Sequence, residues 1–91
     1  MITWDDNKRQ RNIVKHGIDF IGAETIFDYP MLTREDDRAY ADGEQRLQSL
    51  ALLEGHIVFV VWVERAASAH IISIRKAERH KQKIYRQATS Q

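Results

Sequence analysis

The sequence predicts an α+β domain: a small antiparallel sheet with two helices before it and one helix after it. Three observations carry that prediction. Helix-like segments come first, with caps at Asp5 and Gly17. A run of strand-like segments follows, separated by turn residues such as Glu54-Gly55. The chain then ends in a basic stretch with helical spacing. That order favours helices packed on one sheet over alternating βαβ units.

Met1 to Trp4 reads as a short edge strand. Asp5 or Asp6 can cap a helix that runs to His16, and Gly17 can end it in the left-handed region. Ile13 and Val14 are its main apolar residues, so light packing is expected, aided by Trp4. A second, shorter helix starts at Asp19. Phe20, Ala23 and Phe27 mark its buried face. Tyr29-Pro30 stops it, because a residue before proline avoids the helical region.

Met31 to Arg34 reads as a strand, and EDDRAYADGE, from Glu35 to Glu44, as an acidic loop. Arg46 to Leu53 is strand-like, though its pattern also fits a helix. His56 to Glu64 is the clearest strand, apolar on both faces and therefore central. A short loop at 66–68 joins it to a strand from Ala69 to Arg75. Alternation puts His70, Ile72 and Ile74 on one side, and Ile71, Ser73 and Arg75 on the other. Lys76 to Thr89 reads as the last helix, with Ala77, Ile84, Tyr85 and Ala88 as its apolar positions.

A chain of 91 residues is enough for a single domain, taken as 1–91, with one modest core. With no cysteine, disulfides and thiolate metal sites are excluded. No His/Asp/Glu spacing suggests a metal, and no cofactor motif is present. The longest apolar run, Ile57 to Val63, is too short to cross a bilayer. Nothing reads as a signal peptide, so a cytoplasmic protein without membrane attachment is expected.

Net charge is only +1, yet charge is segregated. Residues 19–44 hold eight carboxylates against two arginines, and residues 45–91 hold eight Lys or Arg against three carboxylates. Segregation of this kind suits a polyanionic partner, or an acidic segment lying across a basic one within the fold. Arg75 closes the last strand. Arg79 is expected one turn into the following helix, on the same side. Such a pair can hold a phosphate. In a tight hairpin Arg65 falls opposite Ala69 and Arg75 opposite Phe59. Those levels are roughly 20 Å apart, so the two arginines suit successive phosphates rather than one. His16 titrates near neutrality and can serve as base or acid. Lys8 is a less specific cation, and Glu44 or Glu78 are alternative bases.

The opening WDDNKRQRNIVKHGIDF resembles the BrnT family of bacterial toxins, through Trp4, Asp5, Lys8, Asn12, Lys15, His16, Gly17, Phe20 and Ala23. IFDYP (26–30), Glu44 and Arg46, Arg65 after the VVWV strand, IISIRKA (71–77) and Tyr85 extend the resemblance over nearly the whole chain. It implies a RelE-like fold and a ribonuclease toxin of a type II toxin–antitoxin pair. Such a toxin cleaves RNA without metal or cofactor and inhibits translation. The implied partner is a BrnA-like antitoxin in a 2:2 complex, which contacts operator DNA on the toxin's behalf. The implied catalytic set is Arg65, Arg75 and Arg79, with His16 and Lys8 ranked below them. The chain departs from the family where Lys81 stands in place of a common glutamate, Ile74 in place of alanine, and His70 in place of a frequent arginine. Because of Lys81, the competing reading is a weak or inactive homologue that binds antitoxin or nucleic acid with the same cations.

Overall fold

The computed structural model describes residues 1–38 and 42–90. Its elements are β1 (Ile2–Trp4), α1 (Asp6–His16), a 3-10 helix (Ala23–Asp28), β2 (Leu32–Glu35), β3 (Leu47–Leu53), β4 (His56–Arg65), β5 (Ser68–Lys76) and α2 (Arg79–Thr89). The five strands form one sheet in the order β1-β5-β4-β3-β2. Neighbours pair antiparallel except β1, which runs parallel to β5, so the sheet is mixed rather than antiparallel. Of the acidic stretch 35–44, Glu35 belongs to β2 and residues 39–41 lie outside the described residues.

The cap at Asp5 is as expected: its carboxylate accepts from the amides of Asn7 and Lys8. Gly17 ends α1 at φ 71°, and its N–H donates to Ile13. The packing of α1 differs from expectation. Val14 is exposed, and Asn12 is the helix's buried residue. β1 pairs with β5 only as far as Ile71. Beyond it, Asn12 covers the bare edge of β5. Its amide donates to the carbonyls of Ile74 (2.8 Å) and Ile18 (2.9 Å), and its oxygen accepts from the Ile74 N–H (3.1 Å). One side chain thus reproduces the exchange that a neighbouring strand residue would make.

The second helix is shorter than expected and of the 3-10 type. Its buried residues, Ala23 and Ile26, are three apart and continue the spacing from Phe20 just before it; all three are fully buried, while Phe27 stays 41% exposed and sets its ring edge-on to Trp62. These residues fill one face of the sheet against Ala51, Val58, Val60, Trp62, Ala69, Ile71 and Ile74. Within that face the buried Ser49 hydroxyl accepts from the Trp62 indole N–H (2.8 Å) and shares a hydrogen bond with Thr33, so no polar atom of this group goes without a partner.

α2 covers part of the opposite face. Tyr85 and Ala77 pack on Ile57, with Leu32, Leu50 and Leu52 beside them, and the Tyr85 hydroxyl donates to the Pro30 carbonyl (2.7 Å). Burial pushes the pKa of Tyr85 up. β5 continues to Lys76, which pairs with Val58, so α2 begins three residues later than the sequence suggests. That shift turns Ile84 (50% exposed) and Ala88 outward.

The β4–β5 hairpin holds one irregularity, a bulge beside Val61/Trp62. Val61 faces Ser73 and Trp62 faces Ile71, so Ile72 is the additional residue. Strict alternation therefore fails. Ala69, Ile71 and Ile74 all point into the core, while His70, Ser73 and Arg75 share the other face with Phe59, Val61, Val63 and Arg65. Arg75 pairs with Phe59 as expected, whereas Arg65 faces Ser68 rather than Ala69.

Candidate functional site

The part of this second face that α2 leaves uncovered carries the cations. At one end, β4 and β5 bring Phe59 and Arg75 level. The Arg75 guanidinium carbon lies 4.7 Å from the centre of the Phe59 ring, and the Lys81 ammonium approaches the same ring at 4.7 Å. A ring face attracts cations through its quadrupole, which favours both approaches. Glu78 steadies Arg75 at 3.7 Å and also reaches His80 at 3.8 Å. His16 arrives from the end of α1. Its pKa is lowered by partial burial, then by Lys15 and by Arg75. His16 and Arg75 thus act in one electrostatic neighbourhood, and His16 is neutral at neutral pH.

At the other end stands Arg65. Its guanidinium donates twice to Glu44, at 2.9 and 3.1 Å. That pair lowers the pKa of Glu44 and raises that of Arg65. The acidic segment therefore does reach across the basic one, at least through this contact. Beside Arg65 lies His70, whose Nδ1 shares a hydrogen bond with Thr3 (2.9 Å). Burial lowers the His70 pKa, with Arg65 and Lys8 adding to the effect. Lys8, carried by the first turn of α1, belongs to this end of the face.

The five residues expected from the sequence thus fall into three places. Arg75 acts electrostatically on His16 at one end, and Arg65 and Lys8 act on His70 at the other. Arg79 is the first residue of α2 and is exposed; no hydrogen bond or ion pair among the described residues joins it to Arg75. The expected one-turn offset between Arg75 and Arg79 does not occur, because Arg75 is still in the strand. Neither His70 nor Phe59 stands out in the sequence as a site residue. For Phe59 a signal was present, since Arg75 was already expected opposite it. Lys81, the departure from the family pattern behind the competing reading, approaches the same Phe59 ring as Arg75.

Among the described residues no group of three or more His, Asp or Glu side chains is placed to hold a metal ion. No helix among them is long and apolar enough to cross a membrane. No curated protein matches the chain. A family model described as "Ribonuclease toxin, BrnT, of type II toxin-antitoxin system" matches residues 4–81, most of the chain, running from Trp4 on β1 to Lys81 beside the Arg75 cluster. The chain belongs to the BrnT family of ribonuclease toxins of type II toxin–antitoxin systems.

Proposed function

We propose that this protein is an endoribonuclease that cleaves RNA without metal, inhibits translation in the cytoplasm, and is neutralised by a BrnA-like antitoxin in a 2:2 complex that carries the contact with operator DNA. The observation that carries the enzymatic part is Arg75 set against the Phe59 ring on an exposed part of the sheet, with His16 close enough for the Arg75 charge to help lower its pKa. The mixed sheet backed by helices supports a RelE-like fold.

In the proposed reaction the RNA 2′-oxygen attacks the adjacent phosphorus. The new bond is 2′-O–P, the broken bond is P–O5′, and the products are a 2′,3′-cyclic phosphate and a free 5′-hydroxyl. His16 takes the 2′-hydroxyl proton, a task that requires the neutral imidazole. Solvent returns a proton to the departing 5′-oxygen. Arg75 faces the charge that builds on the phosphoryl oxygens, and its planar guanidinium suits bidentate contact with them. Arg65, at the far end of the face, holds a phosphate further along the same strand, which must first displace Glu44. Lys8 adds positive potential there, and Arg79 adds it at the start of α2.

The test is ribosome-free RNA with EDTA and antitoxin-free protein. Wild-type cleavage should fall by about 100-fold in a folded Arg75→Ala variant. Unchanged cleavage by that variant would remove Arg75 from the mechanism. Lys81 favours a second reading, a homologue that binds antitoxin without cutting RNA, because it puts a further cation on the Phe59 ring that Arg75 also contacts. Tight antitoxin binding by a folded protein that leaves RNA intact, with or without ribosomes, would select that reading.

A further inference from the structure

We propose that the groove between α1 and β5 is a track for the RNA backbone, and that Arg11 and Lys15 are contacts to phosphates flanking the one that is cut. This inference rests on the ribonuclease reading and assigns two residues that reading does not use.

The groove encloses about 260 Å³ and is lined by Lys8, Arg11, Asn12, Lys15, His16, Ile72 and Ser73. No carboxylate lines it. The contrast within α1 is informative. Arg9, on another side of the helix, is neutralised by Asp19 at 2.7 and 3.1 Å and by Asp6 at 3.2 Å. Lys8, Arg11 and Lys15 have no ion pair among the described residues. They stand three and four residues apart, so their like charges repel along one side of the helix. A bound anion removes that repulsion.

The groove also joins the two ends of the site. Lys8 acts on His70, beside Arg65, and His16 acts with Arg75. The arginine levels are roughly 20 Å apart on the sheet, and the helix from Lys8 to Lys15 spans about 10 Å of that gap. Side chains four apart on a helix lie about 6 Å from each other, comparable to the step between successive phosphates of a single strand. The three hydrogen bonds of Asn12 fix the groove floor, so the cation row is held in place before any ligand binds. Ser73 offers a hydroxyl to a phosphate oxygen. An acidic protein segment fits less well, since a protein interface needs buried apolar anchors, and Ile72 is the one aliphatic side chain lining the groove.

The test is a double variant, Arg11→Gln with Lys15→Gln; both residues are exposed and neither takes part in the proposed chemistry. Binding is followed by fluorescence anisotropy with a short single-stranded 2′-O-methyl oligonucleotide, which lacks the attacking hydroxyl. Each lost phosphate contact should reduce the slope of log K against log[salt] by about 0.7. From about 50 to about 200 mM salt the wild type should therefore lose about sevenfold more affinity than the variant. Equal slopes and equal affinities would overturn the proposal. So would unchanged oligonucleotide binding with weakened antitoxin binding, which would give the groove to the protein partner. If the wild type fails to cut RNA yet the slopes differ as stated, the track stands and the ribonuclease reading falls.

Discussion

Replacing Asn12 with alanine should be among the most damaging single changes to this fold, although the residue sits on a polar helix. The side chain is 5% exposed and makes three hydrogen bonds, two to Ile74 and one to Ile18. A net contribution of about 1 kcal/mol per bond gives about 3 kcal/mol. The Ile74 N–H and carbonyl lie beyond the end of β1, so losing Asn12 strands them unless water enters. A domain of 91 residues has a total stability of roughly 5–14 kcal/mol. With an unfolding entropy of about 2.1 cal/mol/K per residue, the expected fall in Tm is about 15 °C. Urea unfolding should show a lower midpoint at an unchanged m-value. Asn12→Asp sharpens the test. At neutral pH a carboxylate keeps the bond from the Ile74 N–H but faces two carbonyls without a proton to donate. Its loss should exceed that of the alanine variant, then shrink as acid protonates the carboxyl and restores one donor. An alanine variant destabilised by less than about 1 kcal/mol would refute the strand-substituting role of Asn12.

Tyr85→Phe removes the hydroxyl that bonds Pro30 and leaves the ring in place, so thermal melts should show a loss of about 1 kcal/mol, or about 5 °C. Gly17→Ala puts a Cβ into open space at φ 71°, so its cost is conformational alone, about 1 kcal/mol by urea titration. Because the His16 pKa lies below its ordinary 6.5, wild-type cleavage should rise as pH increases through a point under that value and then level off. A His16→Ala variant should lack that acidic limb; a limb that persists would transfer the base to another group.

Local signals in the sequence were reliable where the structure is local. The Asp5 cap, the Gly17 stop, the Tyr29-Pro30 break and the core of β4 each depend on a few neighbouring residues, and each was legible. The pairing of Arg75 with Phe59 followed from a short hairpin. What escaped was set by distant partners. The parallel docking of β1 on β5 needs knowledge of the finished sheet. The bulge at Ile72 cannot be seen in a run of apolar residues, yet it decides that Ser73 and Arg75 share a face with His70. Asn12 carried a resemblance, but its three bonds depend on where β1 happens to end. The 3-10 geometry replaced Phe27 by Ile26 because a period of three and a helical spacing overlap over so few residues. For the candidate site, the arginines and His16 were legible as chemistry. Their division between two ends, and the place of Lys81 against Phe59, were not.

The contacts that close this fold also set a schedule for its synthesis. Thr3 meets His70 across 67 residues, Asn12 meets Ile74 across 62, and Pro30 meets Tyr85 across 55. The N-terminal strand and helix therefore leave the ribosome long before their partners exist. At translation rates of about 5–20 residues per second, they wait roughly 3–14 s for β5 to be made. During that interval the carbonyl and N–H of Ile74 that Asn12 will cap do not yet exist. A nascent copy cannot assemble the cationic face while its own message is still being read through these residues, so that face exists only after release of the last strand.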